Sequence, residues 1–399
     1  MLFTQFGLSE PLIRAVTALG YHSPTPIQQE AIPVALAGRD HIGCAETGSG
    51  KTAAYLLPIL QQQLAATPAL RALILAPTRE LAAQIGQSCQ QLARFTSIRS
   101  AVIYGGMAWR PQVQALRRGV SILVATPGRL LDHLQQGTIN LSFIEFWVLD
   151  EADRMLDMGF LPDVRRIVSR LPKARQTMLF SATINPAVEQ LAKELLDNPV
   201  KLQIGRRATP PIQLQQAAYM VPASAKVALL VALLEAKQMN SVLVFSQTRR
   251  GVAALCANLQ RRGYSAEALH AGRTQDQRHA ALAGFRSGAF RVLVATDVAA
   301  RGLDIPGVSH VINYEVPHDP QNYVHRIGRT ARAGCGGHAL TLVSPGEHFA
   351  WQAVERFMGQ SVPRIVLPAL AASVPAYMIE RPTAAQLKPA RRSFKPRRF

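Results

Sequence analysis

Short apolar runs recur along the chain, each closed by small or polar residues and followed by a stretch with helical spacing. His41–Cys44, Arg71–Ala76, Ser100–Tyr104, Ser121–Ala125, Phe146–Leu149 and Thr177–Phe180 read as strands in the first half. Ser241–Phe245, Arg291–Ala295, Val308–Ile312 and Ala339–Val343 complete the strands read in the second. Runs apolar at successive positions suit strands buried on both faces, and strand–helix alternation implies an α/β fold with mostly parallel sheets. Before the first strand, Leu12, Ile13, Val16 and Leu19 fall on one helical face. Ser9 is expected to cap that helix, Pro11 to sit in its first turn and Gly20 to end it. Gly205-Arg206-Arg207-Ala208-Thr209-Pro210-Pro211 breaks the alternation, as a linker does. The expected organisation is a first domain over 1–205, a linker over 206–216, a second domain over 217–366 and a tail over 367–399.

Composition adds a charge argument. The chain has 399 residues, 48% hydrophobic, with a formal charge of +19. Such a balance favours a polyanionic partner, nucleic acid before an anionic membrane, against a merely basic soluble protein. Cys44, Cys89, Cys256 and Cys335 form no close pair and read as reduced cytosolic thiols, with no metal site. The first ten residues lack a signal-peptide pattern, and no apolar run reaches the ~18 residues of a membrane span. A cytoplasmic protein is expected. Arg381, Lys388, Arg391, Arg392, Lys395, Arg397 and Arg398, with Phe394 and Phe399 among them, read as a disordered basic tail that either stacks on nucleic-acid bases or only solubilises.

Candidate chemistry sits where the strands end. Ala45-Glu46-Thr47-Gly48-Ser49-Gly50-Lys51-Thr52 joins a strand to a helix. Gly48 and Gly50 let backbone N–H groups approach phosphates, Lys51 supplies charge to the β/γ-phosphates, and the Thr52 hydroxyl suits Mg²⁺. The strict phosphate-loop pattern begins with glycine, whereas this chain has Ala45. Asp150-Glu151-Ala152-Asp153 follows another strand. There Asp150 suits Mg²⁺, Glu151 suits the attacking water, and Asp153 reads as a structural or coupling carboxylate that the Ser181 and Thr183 hydroxyls can reach. Upstream, Pro24 and Pro26 hold Gln28 at a defined place, where its amide suits an adenine edge, and Phe3 suits stacking on the base. Loops at Pro77-Thr78-Arg79, Gly105-Gly106 and Thr126-Pro127-Gly128-Arg129 suit nucleic-acid phosphates. In the second half, Arg329 and Arg332 are three apart, so on a helical turn they share a face and suit a γ-phosphate.

In this order and spacing the set resembles the DEAD-box RNA helicases of superfamily 2, over about residues 3 to 365, with the bacterial RhlE-like group most alike. It includes Phe3 with Gly20–Gln28, Ala45–Thr52, Pro77–Ala82, Gly105-Gly106, Thr126–Leu130, Asp150–Asp153, Ser181–Thr183, Ser246–Thr248, Gln275–Arg278, Ala295–Asp304 and His325–Arg332. The family itself departs from glycine at the position of Ala45.

The resemblance implies two tandem RecA-like domains, joined by a short linker, in an RNA-dependent ATPase that unwinds short duplexes or remodels RNA–protein complexes. ATP and Mg²⁺ are the implied cofactors. Phe3, Tyr21 and Gln28 would hold the adenine, Thr47, Gly48, Ser49, Gly50, Lys51 and Thr52 the phosphates, and Asp304 the ribose. Thr52 and Asp150 would hold Mg²⁺. Lys51, Asp150, Glu151, Arg329 and Arg332 would be catalytic. RNA, single-stranded or in short duplex, would meet Pro77, Thr78, Arg79, Gly105, Gly106, Thr126, Pro127, Gly128 and Arg129. In the second domain it would meet Gln247, Thr248, Thr296, Asp297, Arg301 and Gly302. Asp153, Ser181, Thr183 and His325 would couple the two sites. A monomer is expected, acting on RNA that ribosome precursors or RNA-degradation machinery would present. The rival readings are an RNA-clamping assembly platform with little turnover and a superfamily 2 DNA helicase.

Overall fold

The computed structural model describes residues 2–45, 48–67, 69–204, 214–236, 239–300, 308–331, 336–368 and 378. The chain divides into two compact units, Met1–Arg207 and Ala208–Phe399. Among the described residues each unit is built on one seven-stranded sheet with helices around it. Every strand pairing among the described residues is parallel.

The first unit opens with α1 (Glu10–Ala18) and α2 (Pro26–Leu36). Ser9 stands at the N-cap of α1 without a side-chain cap bond. Its hydroxyl donates instead to Gln61 at 2.8 Å, tying the helix start to a neighbouring helix. Then come β1 (His41–Cys44), α3 (Lys51–Gln63), β2 (Ala72–Leu75), α4 (Arg79–Leu92), β3 (Ser100–Ile103) and α5 (Trp109–Arg117). The chain continues through β4 (Ile122–Ala125), α6 (Pro127–Gln135), β5 (Phe146–Leu149), α7 (Ala152–Asp157) and α8 (Leu161–Val168). It closes with β6 (Gln176–Ser181), α9 (Pro186–Leu195) and β7 (Val200–Gln203).

The strand order is β3-β4-β2-β5-β6-β1-β7. Strands β2, β4 and β5 are buried at every position, as their unbroken apolar runs predict, and β6 is buried throughout although Gln176, Thr177 and Ser181 are polar. Close approach of helix to sheet uses a glycine: a Cβ on Gly86 of α4 would overlap Val102 of β3.

The second unit runs β8 (Leu214–Met220), α10 (Lys226–Ala236), β9 (Val242–Phe245), α11 (Arg249–Arg261), β10 (Ala266–Leu269) and α12 (Gln275–Arg286). It goes on through β11 (Val292–Ala295), α13 (Asp297–Ala300), β12 (His310–Asn313), α14 (Pro320–Ile327), β13 (Gly337–Val343), α15 (His348–Met358) and β14 (Arg364–Ile365). Its order is β10-β11-β9-β12-β13-β8-β14.

Three expectations change here. The second unit has seven strands where the apolar runs indicate four. The expected linker also gives up its end, since Leu214, Gln215 and Gln216 pair with Gly337, His338 and Ala339. Backbone pairing with β13 holds these residues in the sheet although two of their side chains are polar. The expected tail is shortened as well. Met378 is 0% exposed in a cluster with Val316, Trp351 and Val354, and its carbonyl accepts from Arg364 at 2.8 Å. The rest of the basic tail, and residues 206–213 of the linker, lie outside the described residues.

Cys44, Cys89 and Cys256 are free thiols, while Cys335 lies outside the described residues. Among the described residues, no helix is long and apolar enough to cross a membrane.

Candidate nucleotide and nucleic-acid sites

The strand order sorts the chemistry of the first unit along one edge of its sheet. β1, β6 and β5 are neighbours, and their C-terminal ends lead into the phosphate-type loop, Ser181–Thr183 and Asp150–Asp153. β2, β4 and β3 occupy the other half, and their ends lead into Pro77–Arg79, Thr126–Arg129 and Gly105-Gly106. Open α/β sheets bind ligands at this carboxyl edge.

In the first half, Gly48 and Gly50 take φ of +85° and +93°, a region that side-chain-bearing residues rarely adopt. A Cβ on Gly50 would also overlap the Gln28 amide. Lys51 opens α3, is 7% exposed and donates to the Ala45 carbonyl at 2.8 Å. The Ala45 N–H in turn donates to the Ser181 carbonyl at 3.1 Å, joining β1 to β6.

Asp150 is 3% exposed. One oxygen accepts from the Tyr55 hydroxyl at 2.9 Å and the other from the Glu151 N–H at 2.9 Å. Burial pushes its carboxyl up to about 6, with the Lys51 charge pulling the other way. A buried carboxylate facing a lysine and accepting two hydrogen bonds among the described residues suits a cation. Among the described residues no three His, Cys, Asp or Glu cluster as metal ligands. That donor set fits Mg²⁺ held by one carboxylate and phosphate oxygens, rather than an all-protein cage.

Glu151 sits at φ 54°, ψ 54°, a left-handed conformation costly for a non-glycine residue. The turn aims its carboxylate at Arg154, one helical turn on, with Oε2 2.9 Å from Nη1. Asp153 accepts from the Thr183 N–H at 3.0 Å and from its hydroxyl at 2.9 Å. Ser181 does not donate to that carboxylate. Its hydroxyl donates to the Thr183 carbonyl at 2.8 Å and accepts from the Asp153 N–H at 3.3 Å.

The residues expected at adenine divide. Gln28 is 4% exposed. Its oxygen accepts from the Thr25 N–H at 2.9 Å and its nitrogen donates to the Gly50 carbonyl at 3.0 Å. One N–H and one lone pair of the amide are thus left for a ligand. Phe3 is 4% exposed, its ring edge-on to Phe6 with centroids 6.0 Å apart. That packing leaves little of the ring face open to a base. The open aromatic of this segment is Tyr21, 42% exposed.

On the other half of the edge, the Arg79 guanidinium lies over Gly105 and Gly106, where a Cβ on Gly106 would overlap it. Thr78 caps α4 with its hydroxyl accepting from the Leu81 N–H at 3.4 Å. Thr126 and Pro127 begin α6, and Arg129 Nη1 donates to the Met107 carbonyl at 3.3 Å. Gly128 has open space where a Cβ would be.

In the second unit, Gln247 and Thr248 follow β9, and Thr296 follows β11. The Gln247 amide donates to the Val316 carbonyl at 2.7 Å, and Thr248 caps α11 by accepting from the Gly251 N–H at 2.9 Å. Asp297 departs from its expected RNA role. Arg326, 1% exposed, grips both its oxygens at 2.6 and 2.7 Å. A carboxylate so held is a structural anchor, and its sign opposes a phosphate. Arg329 departs from its expected helical face too. α14 ends at Ile327, so Arg329 lies beyond it, 4% exposed, donating to the His325 carbonyl at 3.3 Å. Thr47, Arg301, Gly302, Asp304 and Arg332 lie outside the described residues.

Sequence reasoning missed Tyr55, Arg154 and Arg326. The first two had a signal: Tyr55 is one helical turn after Lys51, and Arg154 is three residues after Glu151.

Two family models match, one described as DEAD/DEAH box helicase over residues 25–191 and one as helicase conserved C-terminal domain over 225–334. The DEAD-box ATP-dependent RNA helicase CshA of Bacillus licheniformis is 42% identical over 368 residues, 92% of this chain and 76% of that protein. Its Bacillus subtilis counterpart is 41% identical, over 92% and 74%. Among solved structures, S. cerevisiae Dbp5 bound to RNA and ADP BeF3 aligns with a TM-score of 0.82 at 31% identity, over 93% of this chain and 97% of that one. Mss116 bound to ssRNA and AMP-PNP aligns with a TM-score of 0.82 at 29% identity, over 94% and 80%. The two sheets are tandem RecA-like domains, and with the phosphate-type loop, Asp150–Asp153 and these relatives in hand, the chain belongs to the DEAD-box ATP-dependent RNA helicases.

Proposed function

We propose that this chain uses ATP binding and hydrolysis to open short RNA duplexes and to remodel RNA–protein complexes. The observation that carries the reading is the sorting along one sheet edge: Gly48–Thr52, Asp150–Asp153 and Ser181–Thr183 follow β1, β5 and β6, while Pro77–Arg79, Gly105-Gly106 and Thr126–Arg129 follow β2, β3 and β4.

In this reading, the Gly48–Thr52 backbone and the Lys51 ammonium hold the β/γ-phosphates. Gln28 reads the adenine edge with its remaining N–H and lone pair, beside Tyr21. Asp150 and Thr52 hold Mg²⁺, which when bound neutralises charge building on the phosphates. Tyr55 keeps the Asp150 carboxylate oriented, and Glu151 orients the attacking water. Arg154 holds the Glu151 carboxylate in place through Oε2. Arg329 and Arg332 contribute positive charge to the γ-phosphate from the second unit. RNA phosphates lie on Thr78, Arg79, Gly105, Gly106 and Thr126–Arg129, and in the second unit on Gln247, Thr248, Thr296, Arg301 and Gly302. Through Asp153, Thr183, Ser181 and His325, RNA and ATP favour each other's binding.

The test measures ATP hydrolysis with and without single-stranded RNA or DNA of one sequence, and strand displacement from a short RNA duplex. RNA is expected to stimulate hydrolysis and DNA to do so far less. Equal stimulation by DNA would replace the reading with a DNA helicase, and RNA held tightly without turnover would replace it with a clamp. Crosslinking and sequencing of bound RNA would then separate ribosome precursors from RNA-degradation substrates.

A further inference from the structure

Beside the loop at Thr126–Arg129 lies a surface pocket of about 380 Å³, lined by Trp109, Arg129, Asp132, Gln135 and Gln136. None of these except Arg129 enters the reading above. Trp109 opens α5 and stacks on His133 of α6, with ring centroids 3.9 Å apart and planes 10° from parallel. His133 is 0% exposed, whereas Trp109 keeps part of its surface in the pocket. The Arg129 guanidinium lies 5.6 Å from the Trp109 ring. Arg129 Nε is buried without a hydrogen-bond partner, 3.4 Å from an Asp132 oxygen. The wall thus combines an indole braced from below, a guanidinium, a carboxylate and two amides.

We propose that this pocket takes one unstacked nucleobase of single-stranded RNA whose phosphates run over Thr126–Arg129. The indole supplies a stacking surface, and every base has a π-face to meet it. Arg129 links the two contacts, since its guanidinium is within reach of a phosphate and of the ring. Asp132, Gln135 and Gln136 offer acceptors and donors to the base edge. To the phosphate contacts of the proposed function the pocket would add one that depends on a base being present and unpaired. The inference rests on the RNA reading of this unit.

The unmodified protein can report on the pocket. The chain has three tryptophans, and Trp147 and Trp351 are 0% exposed, so Trp109 carries the accessible emission. A single-stranded RNA oligonucleotide and an abasic ribose–phosphate chain of equal length would be titrated, each with a non-hydrolysable ATP analogue. Intrinsic fluorescence is expected to be quenched by the RNA and little changed by the abasic chain. Trp109→Ala should raise the RNA concentration for half-maximal ATPase stimulation by about fivefold or more, the lower range for a base–aromatic stack. Trp109→Phe, which keeps a ring on His133, should fall between. Equal quenching by both chains, or no quenching by RNA that stimulates hydrolysis, would overturn the pocket and leave the helicase reading standing. No stimulation of the wild type by any RNA would overturn both.

Discussion

At the scale of single residues, Asp150 and Glu151 set the sharpest expectations. Glu151→Gln keeps the shape of the side chain but removes the carboxylate, so hydrolysis should fall by ~10²-fold or more. A filter assay should still find ATP and RNA bound; wild-type turnover would remove Glu151 from its role. Tyr55→Phe removes one of the two hydrogen bonds that orient Asp150 and leaves the packing intact. Its expected signature is a rise in the Mg²⁺ concentration for half-maximal ATPase, together with a loss of about 1–3 kcal/mol in stability from the buried oxygen left without its donor. An unaltered Mg²⁺ curve would make the Tyr55 hydroxyl a bystander.

His133 gives a pH prediction. Burial first, then the Arg129 charge, push its imidazole down from 6.5 to about 4, with Asp132 pulling it back up. The unfolded chain therefore takes up this proton at higher pH than the folded one. Stability from this group is whole above pH ~6.5 and is lost as pH falls towards ~4. His133→Phe should lose less stability between pH 7 and pH 4.5 than wild type in urea titrations. Identical losses would show that the imidazole is accessible to protons in the fold.

At the scale of elements, strands were legible wherever burial on both faces leaves no room for a polar residue, as in β2 (Ala72–Leu75) and β9 (Val242–Phe245). Those left unread lie at or next to sheet edges. β7 alternates as Val200, Lys201, Leu202, Gln203 with only Leu202 buried, and β8 begins with Leu214, Gln215, Gln216. Edge strands need little apolar surface, so their backbone pairing leaves a weak trace in the sequence. The site was legible in part for a related reason. Loop glycines, Lys51 and the three acids Asp150, Glu151 and Asp153 are constrained by chemistry, whereas Arg326 announces nothing until Asp297 is placed against it. Nor did residue types reveal that Phe3 turns into the core while Tyr21 stays open.

Helix–sheet contact supplies a prediction at this scale. Gly86→Ala forces α4 off β3 or Val102 out of its rotamer, and overpacking of this kind costs about 1–3 kcal/mol. Adding Val102→Ala should return part of that stability. Additive losses in the double mutant would mean that the two positions do not meet.

At the scale of the whole molecule, the C-terminal residues split into two parts with different expected effects. Met378 is buried with Trp351 and Val354, so Met378→Ala should destabilise the second unit by about 2–5 kcal/mol. Residues 381–399 carry seven basic residues and no acid. Deleting them should leave the thermal midpoint unchanged, raise the RNA concentration for half-maximal ATPase and flatten its salt dependence, by about 0.7 per lost phosphate contact. Superimposable RNA curves at two salt levels would make the segment a solubilising extension.

The order of the first sheet also governs how the chain matures during synthesis. β1 lies between β6 and β7, and Thr177 at the start of β6 donates to Asp40, 137 residues upstream. At ~5–20 residues per second, a ribosome needs about 7 to 27 s to make that stretch. For that time the phosphate loop hangs from an unpaired strand, and nucleotide cannot help the nascent unit to fold. ATP can act as a folding ligand for this unit only after β6 (Gln176–Ser181) has emerged, which places its first binding event at the end of the first unit's synthesis, with the second unit still to be made.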